Sequence, residues 1–333
     1  VPETLPETVL VTGASGFVGL AVTEALLARG DTVVAFDRAT LPDDAAARFA
    51  ALPGRIVPVE GDIRSASDLA AAFAAAPVSR VLHTAVITAG AERERRDAET
   101  IVAVNIQGAI AVLNAAVAHR VWRFVYPSSV AVYGQQPEGS PPFTEDGTWP
   151  RPVMLYGITK LAAEQALARL ARARGLSFAA ARLASVFGPW ERDTGLRDTL
   201  SPHVFAVACA LEGREAVLNR PSRGDHVYVR DVASGLLGLL DAPLLPHDLF
   251  NLGSGVATSA ADFCDALAAL VPGFRWRRAR EGEAASVVTH VGFDRPPMDI
   301  ARLAAATGFA PRFDLASAAK DALAFFASEP PRA

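Results

Sequence analysis

The segment VLVTGASGFVGLAV, residues 9–22, sets Gly13, Gly16 and Gly19 between a strand-like apolar run and a helix-like one. The spacing G-x-x-G-x-x-G at such a junction permits a tight turn. It lets backbone N–H groups approach a pyrophosphate, and the helix N-terminus adds a favourable field for an anion. The same spacing also serves close helix–strand packing. Either way it fixes a strand–turn–helix unit at the start of the chain.

The first half repeats that unit. TVLVTG (8–13), TVVAFD (32–37), RIVPVEGD (55–62, imperfect because of Pro58), RVLHTA (80–85), WRFVYPSS (122–129) and SFAAARLA (177–184) read as strands. Helices are expected over 17–29 (closed by Gly30), 66–76 (capped by Ser65 or Ser67), 98–119 and 156–174. This alternation predicts βαβ units, hence an α/β, Rossmann-type doubly wound parallel sheet with helices on both faces. After residue 185 the rhythm breaks. HVYVRDVASGLLGLLDAP (226–243) and FNLGSGVATSAADFCDALAAL (250–270, with Ser259 able to cap) each read as a strand then a helix, and the tail gives two more helices. The expected organisation is a dinucleotide-binding domain over 1–185, to which about 226–260 returns. Residues 186–333 form mainly a smaller C-terminal substrate-binding lobe.

A composition 51% hydrophobic and 20% charged is globular, and a net charge of −4 speaks against a nucleic-acid coat or a binder of anionic membranes. No apolar run approaches the length of a membrane span, and the opening VPETLPETVLVTG lacks a basic signal-like start. Cys209 and Cys264 lie in apolar, helix-like segments without zinc spacing, so a reduced, cytoplasmic compartment and no metal are expected.

Asp37 ends the second strand, where a carboxylate accepts both ribose hydroxyls of an adenosine and repels a 2′-phosphate. That favours NAD over NADP, although Arg38 beside it offers a phosphate a partner. Asp62 after the third strand reads as an acceptor for the adenine amino group or as a solvated turn residue. In LYGITK (155–160), Tyr156 and Lys160 share one helix face. An ammonium there favours the phenolate and makes a usable base, yet the pair alone is also ordinary helix-surface decoration. Ser128 and Ser129 follow the strand WRFVYP, at the edge where a doubly wound sheet opens its ligand crevice. There one hydroxyl would hold a substrate oxygen; both serines would equally cap local turns. His83 and His226 read as packing groups, and His203 and His290 carry no motif.

Taken together, TGASGFVG (12–19), FD (36–37), GDIR (61–64), LHTA (82–85), NIQG (105–108), SSVAVYG (128–134), YGITK (156–160), RLASVFGP (182–189) and HVYVRDVA (226–233) resemble the extended short-chain dehydrogenase/reductase family, in its NAD-dependent epimerase/dehydratase branch. The resemblance implies NAD as cofactor, with Gly13, Gly16 and Gly19 at the pyrophosphate and Ser15 and Phe17 in the same turn. It places Asp37 and Arg38 at the ribose, Asp62 and Ile63 at the adenine, and Ala85 along the cofactor path, with Asn105 supporting the site. It implies Tyr156 as base, Lys160 as its modulator and ribose ligand, and Ser129 as the active-site hydroxyl. Thr88, Tyr133 and Ser185 are implied on the substrate side.

The chain departs from that pattern in three places. Dehydratases of the branch carry an acidic pair after the active-site Ser/Thr, where Val130 and Ala131 stand. Relatives acting on nucleotide sugars often carry asparagine where Ser185 stands, and arginine where Gly224 stands, with Arg223 one residue early. Arg192 and Arg197 are alternative clamps for a phosphate or carboxylate, or charges on a solvated loop. The function expected first is a nucleotide-sugar epimerase working through a transient keto intermediate. The alternatives are a dehydrogenase of a free sugar, sugar acid or polyol, and a noncatalytic NAD-binding regulator. The implied partner is a small sugar substrate, and the implied assembly a homodimer.

Overall fold

The computed structural model describes residues 7–193, 195, 198 and 200–328. The elements follow in chain order: β1 (Thr8–Thr12), α1 (Phe17–Ala28), β2 (Thr32–Asp37), α2 (Asp43–Ala50), β3 (Arg55–Glu60), α3 (Ala66–Ala74), β4 (Arg80–His83), α4 (Ala91–Val102), α5 (Ala109–Ala118), β5 (Arg123–Ser129), α6 (Leu155–Arg174) and β6 (Ser177–Leu183). Then come β7 (Ser185–Phe187), α7 (Pro202–Leu211), β8 (Ala216–Leu218), β9 (Arg223–Tyr228), α8 (Val229–Asp241), β10 (Leu249–Leu252), β11 (Ala257–Ser259), α9 (Ala260–Leu270), β12 (Trp276–Arg278), α10 (Ala301–Thr307) and α11 (Leu315–Ser328).

Seven parallel strands form the main sheet in the order β10-β6-β5-β4-β1-β2-β3. Strand alternation supplies two cores. Val9, Val11, Val33, Ala35 and Val125 point to the face covered by α1 and α8; Leu10, Val34, Phe36, Phe124 and Tyr126 point to the face covered by α3, α5 and α6. Chain direction across the sheet reverses between β1 and β4, and a crevice opens there at the carboxyl ends of the strands.

The C-terminal half contributes to both parts of the molecule. β10 pairs with β6 and closes one sheet edge, while β7, β9 and β11 form a separate three-stranded sheet. Helices α7, α9 and α11 pack on one another beside it. Trp190, with φ of 71°, joins the parts: its ring meets Phe49 and Phe325, and its Nε1 donates to Glu24 Oε2 at 2.9 Å.

One expectation from the sequence is corrected here. α4 and α5 run together through a π-helical turn, Ala103–Gly108, into one helical stretch, Ala91–Ala118, of 28 residues. Its most apolar window reaches a mean hydropathy of 1.9, enough by length and composition for a membrane span. The apolar part lies inside the helix expected over 98–119, but Asn105, Gln107 and Asn114 interrupt it, so the sequence shows no continuous apolar run there. Ile101, Val104, Val112, Leu113 and Ala116 of the stretch are buried in the core against the sheet and its neighbouring helices. α2 was also unforeseen: its short DDAAARFA buries only Ala45 and Phe49.

Candidate active site

Gly13 takes φ of 72°, and a Cβ there would lie 2.5 Å from the Ala85 nitrogen. A Cβ on Gly19 would lie 2.0 Å from the Gly13 carbonyl oxygen. Only glycine lets the turn, α1 and the loop after β4 close this far. Gly16 starts α1 without a side-chain cap, and no acidic residue stands in the first turn, so the positive helix end faces the cleft. Asp37 is held by the same turn: Ser15 N donates to its Oδ2 at 2.9 Å and Ala39 N to its Oδ1 at 3.2 Å. Ser15 Oγ donates to Ala39 O at 3.0 Å, and Ser15 and Phe17 line the cleft. A glycine cradle, an open helix terminus and a fixed carboxylate are what a dinucleotide's pyrophosphate and adenosine ribose require.

At the adenine end, Ile63 and Ala85 line the cleft. Asp62 does too, but its carboxylate takes Arg64 Nη2 at 2.6 Å, a bond that holds it below the usual carboxylate range, with Arg38 Nε 3.8 Å away. Asn105 does not reach the cleft. Its Oδ1 accepts from Ile87 N at 2.8 Å, and its Nδ2 donates to Ile87 O and to Thr159 Oγ1, each at 3.0 Å. The π turn directs this amide inward, where it ties the loop after β4 to α6. Its place among the cofactor contacts is therefore corrected to a positioning role.

β5 delivers Ser128 and Ser129 to opposite faces. Ser129 Oγ accepts from Ala131 N at 3.1 Å, capping the 3-10 turn Val130–Tyr133, and keeps its own proton to donate toward the cleft. Ser128 Oγ is buried with no partner among the described residues. Tyr156 is half-buried in the first turn of α6 and lines the cleft with Ser129. Gly157 makes this approach possible, since a Cβ there would stand 2.7 Å from the Ala131 oxygen. Lys160, one helical turn on, is buried; its Nζ donates to Pro127 O at 2.7 Å and lies 4.6 Å from the Tyr126 ring centre. Burial pulls the Lys160 amine down to about 7, against the pull of Glu164, which Arg182 holds at 2.6 Å. His83 bonds Thr12 Oγ1 and is pushed down to about 3 by burial first and by Lys160 second, so it stays neutral.

Thr88, Val130, Ala131 and Ser185 line the same cavity. Three sequence candidates are corrected. Tyr133 is fully buried: its ring stacks 4.5 Å from Phe143 and its hydroxyl donates to Asn251 Oδ1 at 2.7 Å, so it supports the wall from behind. Arg192 lines the cavity but gives both ends of its fork to Asp44, at 2.7 and 3.1 Å. Arg223 is exposed at the start of β9 and does not line the main cavity; it borders a small adjoining pocket of about 30 Å³ that shares Ser185, His226 and Arg295 with it. Arg197 lies outside the described residues. The arginine that does line the main cavity without a carboxylate partner among the described residues is Arg295, missed because it sits in DRPPMD, which belongs to no periodic element. One cavity of about 1180 Å³ runs from Asp37 past Tyr156 to Arg295.

Residues 9–253 match the model of the NAD dependent epimerase/dehydratase family. The chain belongs to that family. NAD is its cofactor, and the cradle of Gly13, Gly16, Gly19 and Asp37 fits it. UDP-glucuronate 4-epimerase 6 of Arabidopsis thaliana is 31% identical over 243 residues, 70% of this chain and 51% of that protein. The chain thus spans about half the length of the Arabidopsis relatives it matches. The dTDP-L-rhamnose 4-epimerase of Burkholderia thailandensis is 29% identical over 296 residues, 78% of this chain and 80% of that one. The solved structure of MoeE5 in complex with UDP-glucuronic acid and NAD superposes with a TM-score of 0.77 at 28% identity, covering 96% of this chain and 99% of that one.

Proposed function

We propose that this epimerase-family protein interconverts epimers of a nucleotide-linked sugar through a transient keto intermediate, with a UDP-linked uronic acid as the substrate class. The observation that carries this reading is the cavity's continuation beyond Tyr156 to Arg295, about 1180 Å³ in all. The UDP-glucuronate 4-epimerases among the relatives, and the UDP-glucuronic acid bound by MoeE5, support the uronic acid.

In this mechanism Ser129 donates its hydroxyl hydrogen bond to the reacting sugar oxygen. Tyr156 takes the proton of that hydroxyl and later returns it. Lys160, anchored on Pro127 O, sets the charge beside the phenol. NAD, held by the glycine turn and Asp37, supplies the hydride acceptor and then the donor. Thr88, Ala131 and Ser185 present small side chains around the reacting sugar, which leaves space for the keto intermediate to turn its other face. Val130 and Ala131 provide neither acid nor base, so elimination of water has no catalyst at those positions.

The test offers UDP-glucuronate, UDP-galacturonate, UDP-glucose and free uronic acids to the purified protein. Epimerised nucleotide sugar without net NADH is expected. Stoichiometric NADH from a free sugar acid would replace this reading with the dehydrogenase. Tight NAD binding with neither activity would replace it with the regulator.

A further inference from the structure

Beyond Ser185 the cavity ends against α7, β9 and the segment preceding α10, where His203, His226 and Arg295 converge. Arg295 Nε lies 3.4 Å from Gly134 O and its guanidinium 4.8 Å from the Phe293 ring; no carboxylate among the described residues pairs with it. His226 Nδ1 meets Thr258 Oγ1 at 3.2 Å, and its Nε2 has no partner among the described residues. His203, 1% exposed, stacks 4.0 Å from Phe187 and lies 4.7 Å from His226, and neither of its ring nitrogens has a partner among the described residues. Buried polar atoms left unpaired by the protein are the exception, and here they gather beside a cation at the end of a ligand cavity. An anion satisfies such a set: it pairs with Arg295 and gives an imidazole reason to take a proton.

We propose that His226, backed by His203, is a specificity-determining anion ligand that takes up a proton as a phosphate or carboxylate group of the substrate settles between it and Arg295. The proposal rests on the nucleotide-sugar reading and adds a pH-dependent binding element to it. The groups facing His226 are Arg295, which opposes its protonation, Asp262 of α9, which favours it, Thr258 of β11 and His203 of α7. On β9 itself, Asp225 is spent on Ser254, Gly255 and Met298 N–H groups. Burial holds His226 down to about 4 and His203 well below the ordinary histidine range, so both are neutral in the free cleft. An anion brought against Nε2 reverses that balance for His226, the more exposed of the two at 8%. Gly224, two residues before it on β9, has room for a side chain: a Cβ there would meet only Arg295, at 3.9 Å or beyond.

The test is calorimetric binding to NAD-loaded Tyr156→Phe protein between about pH 6 and 8, where a charged imidazole adds up to one linked proton at the acid end and about half of one on average. The probes are UDP-glucose, whose diphosphate diester does not titrate there, and free glucuronate, which carries only the carboxylate. The expected result is an affinity about tenfold higher at the acid end, with proton uptake on binding. UDP-glucose showing this assigns the diphosphate to His226, and glucuronate alone showing it assigns the carboxylate; both uphold the proposal. His226→Gln should bind NAD normally and lose the pH slope. Gly224→Arg, which adds a fixed cation, should bind tightly at pH 8 and flatten the slope. Binding without pH dependence, or a slope that survives in folded His226→Gln, overturns the inference and leaves the proposed function standing. Failure of both probes to bind at any pH overturns the two together.

Discussion

Tyr156 and Lys160 divide their work between cleft and core. Tyr156 is half-buried at the cavity wall, whereas Lys160 lies behind it with its amine on Pro127 O. Replacing Tyr156 with Phe removes one hydroxyl and no buried packing. NAD affinity should stay nearly unchanged while turnover falls roughly a hundred- to ten-thousandfold, the usual worth of a positioned acid–base group; equal turnover would remove Tyr156 from its role as base. Lys160 makes a second prediction. Its amine titrates near 7 in the ligand-free fold and near 10.5 when unfolded. Between those values the unfolded chain binds the extra proton, so this residue makes stability rise with pH from about 7 to 10. Denaturation midpoints of the ligand-free protein should show that rise, and Lys160→Met should flatten it. A variant with the wild-type pH slope would mean that Lys160 is charged and solvated, contrary to its burial.

The elements that place these side chains meet at buried polar joints. Asn105, in the π turn between α4 and α5, bonds both backbone groups of Ile87 and the hydroxyl of Thr159, which in turn donates to the Tyr156 carbonyl at 2.9 Å. Asn105→Ala leaves these groups unpaired in the core. It should cost about 2–4 kcal/mol in unfolding free energy and lower turnover by loosening the start of α6. Stability measured by denaturant titration and turnover measured together check this; a drop in NAD affinity alone would point instead to direct contact with the cofactor. The helix around Asn105 was legible in the sequence but the π turn was not, because the phase shift that one extra residue makes in the apolar repeat is hidden in a stretch that is apolar on most sides. Tyr133 failed for a related reason. AVYG reads as a turn at the pocket, and only the 3-10 geometry of Val130–Tyr133 sends the ring back against Phe143.

Across the molecule, the chain builds one main sheet from both halves, with β10 at its edge and α8 against α1. Trp149, Val153, Met154 and Ile158 are exposed large apolar residues at and before the start of α6. The homodimer implied by the family resemblance would cover this helix. Light scattering after size exclusion should give a dimer mass, and Ile158→Glu should shift it to the monomer with secondary structure intact; a monomer in both would end that proposal. The glycine turn, Asp37 and the strand–helix alternation were legible along the chain because each depends on local spacing: a tight turn, a strand end, an apolar repeat; the Ser129–Tyr156–Lys160 set was implied by the family resemblance. The fate of the arginines was not legible. Arg192 is spent on Asp44, 148 positions away, and Arg295 is left facing the cavity beside His226 and beside His203, whose ring nitrogens have no partner among the described residues. Which charge finds a partner, and which is left for a ligand, depends on segments distant in sequence that meet only when the sheet and the C-terminal lobe have packed.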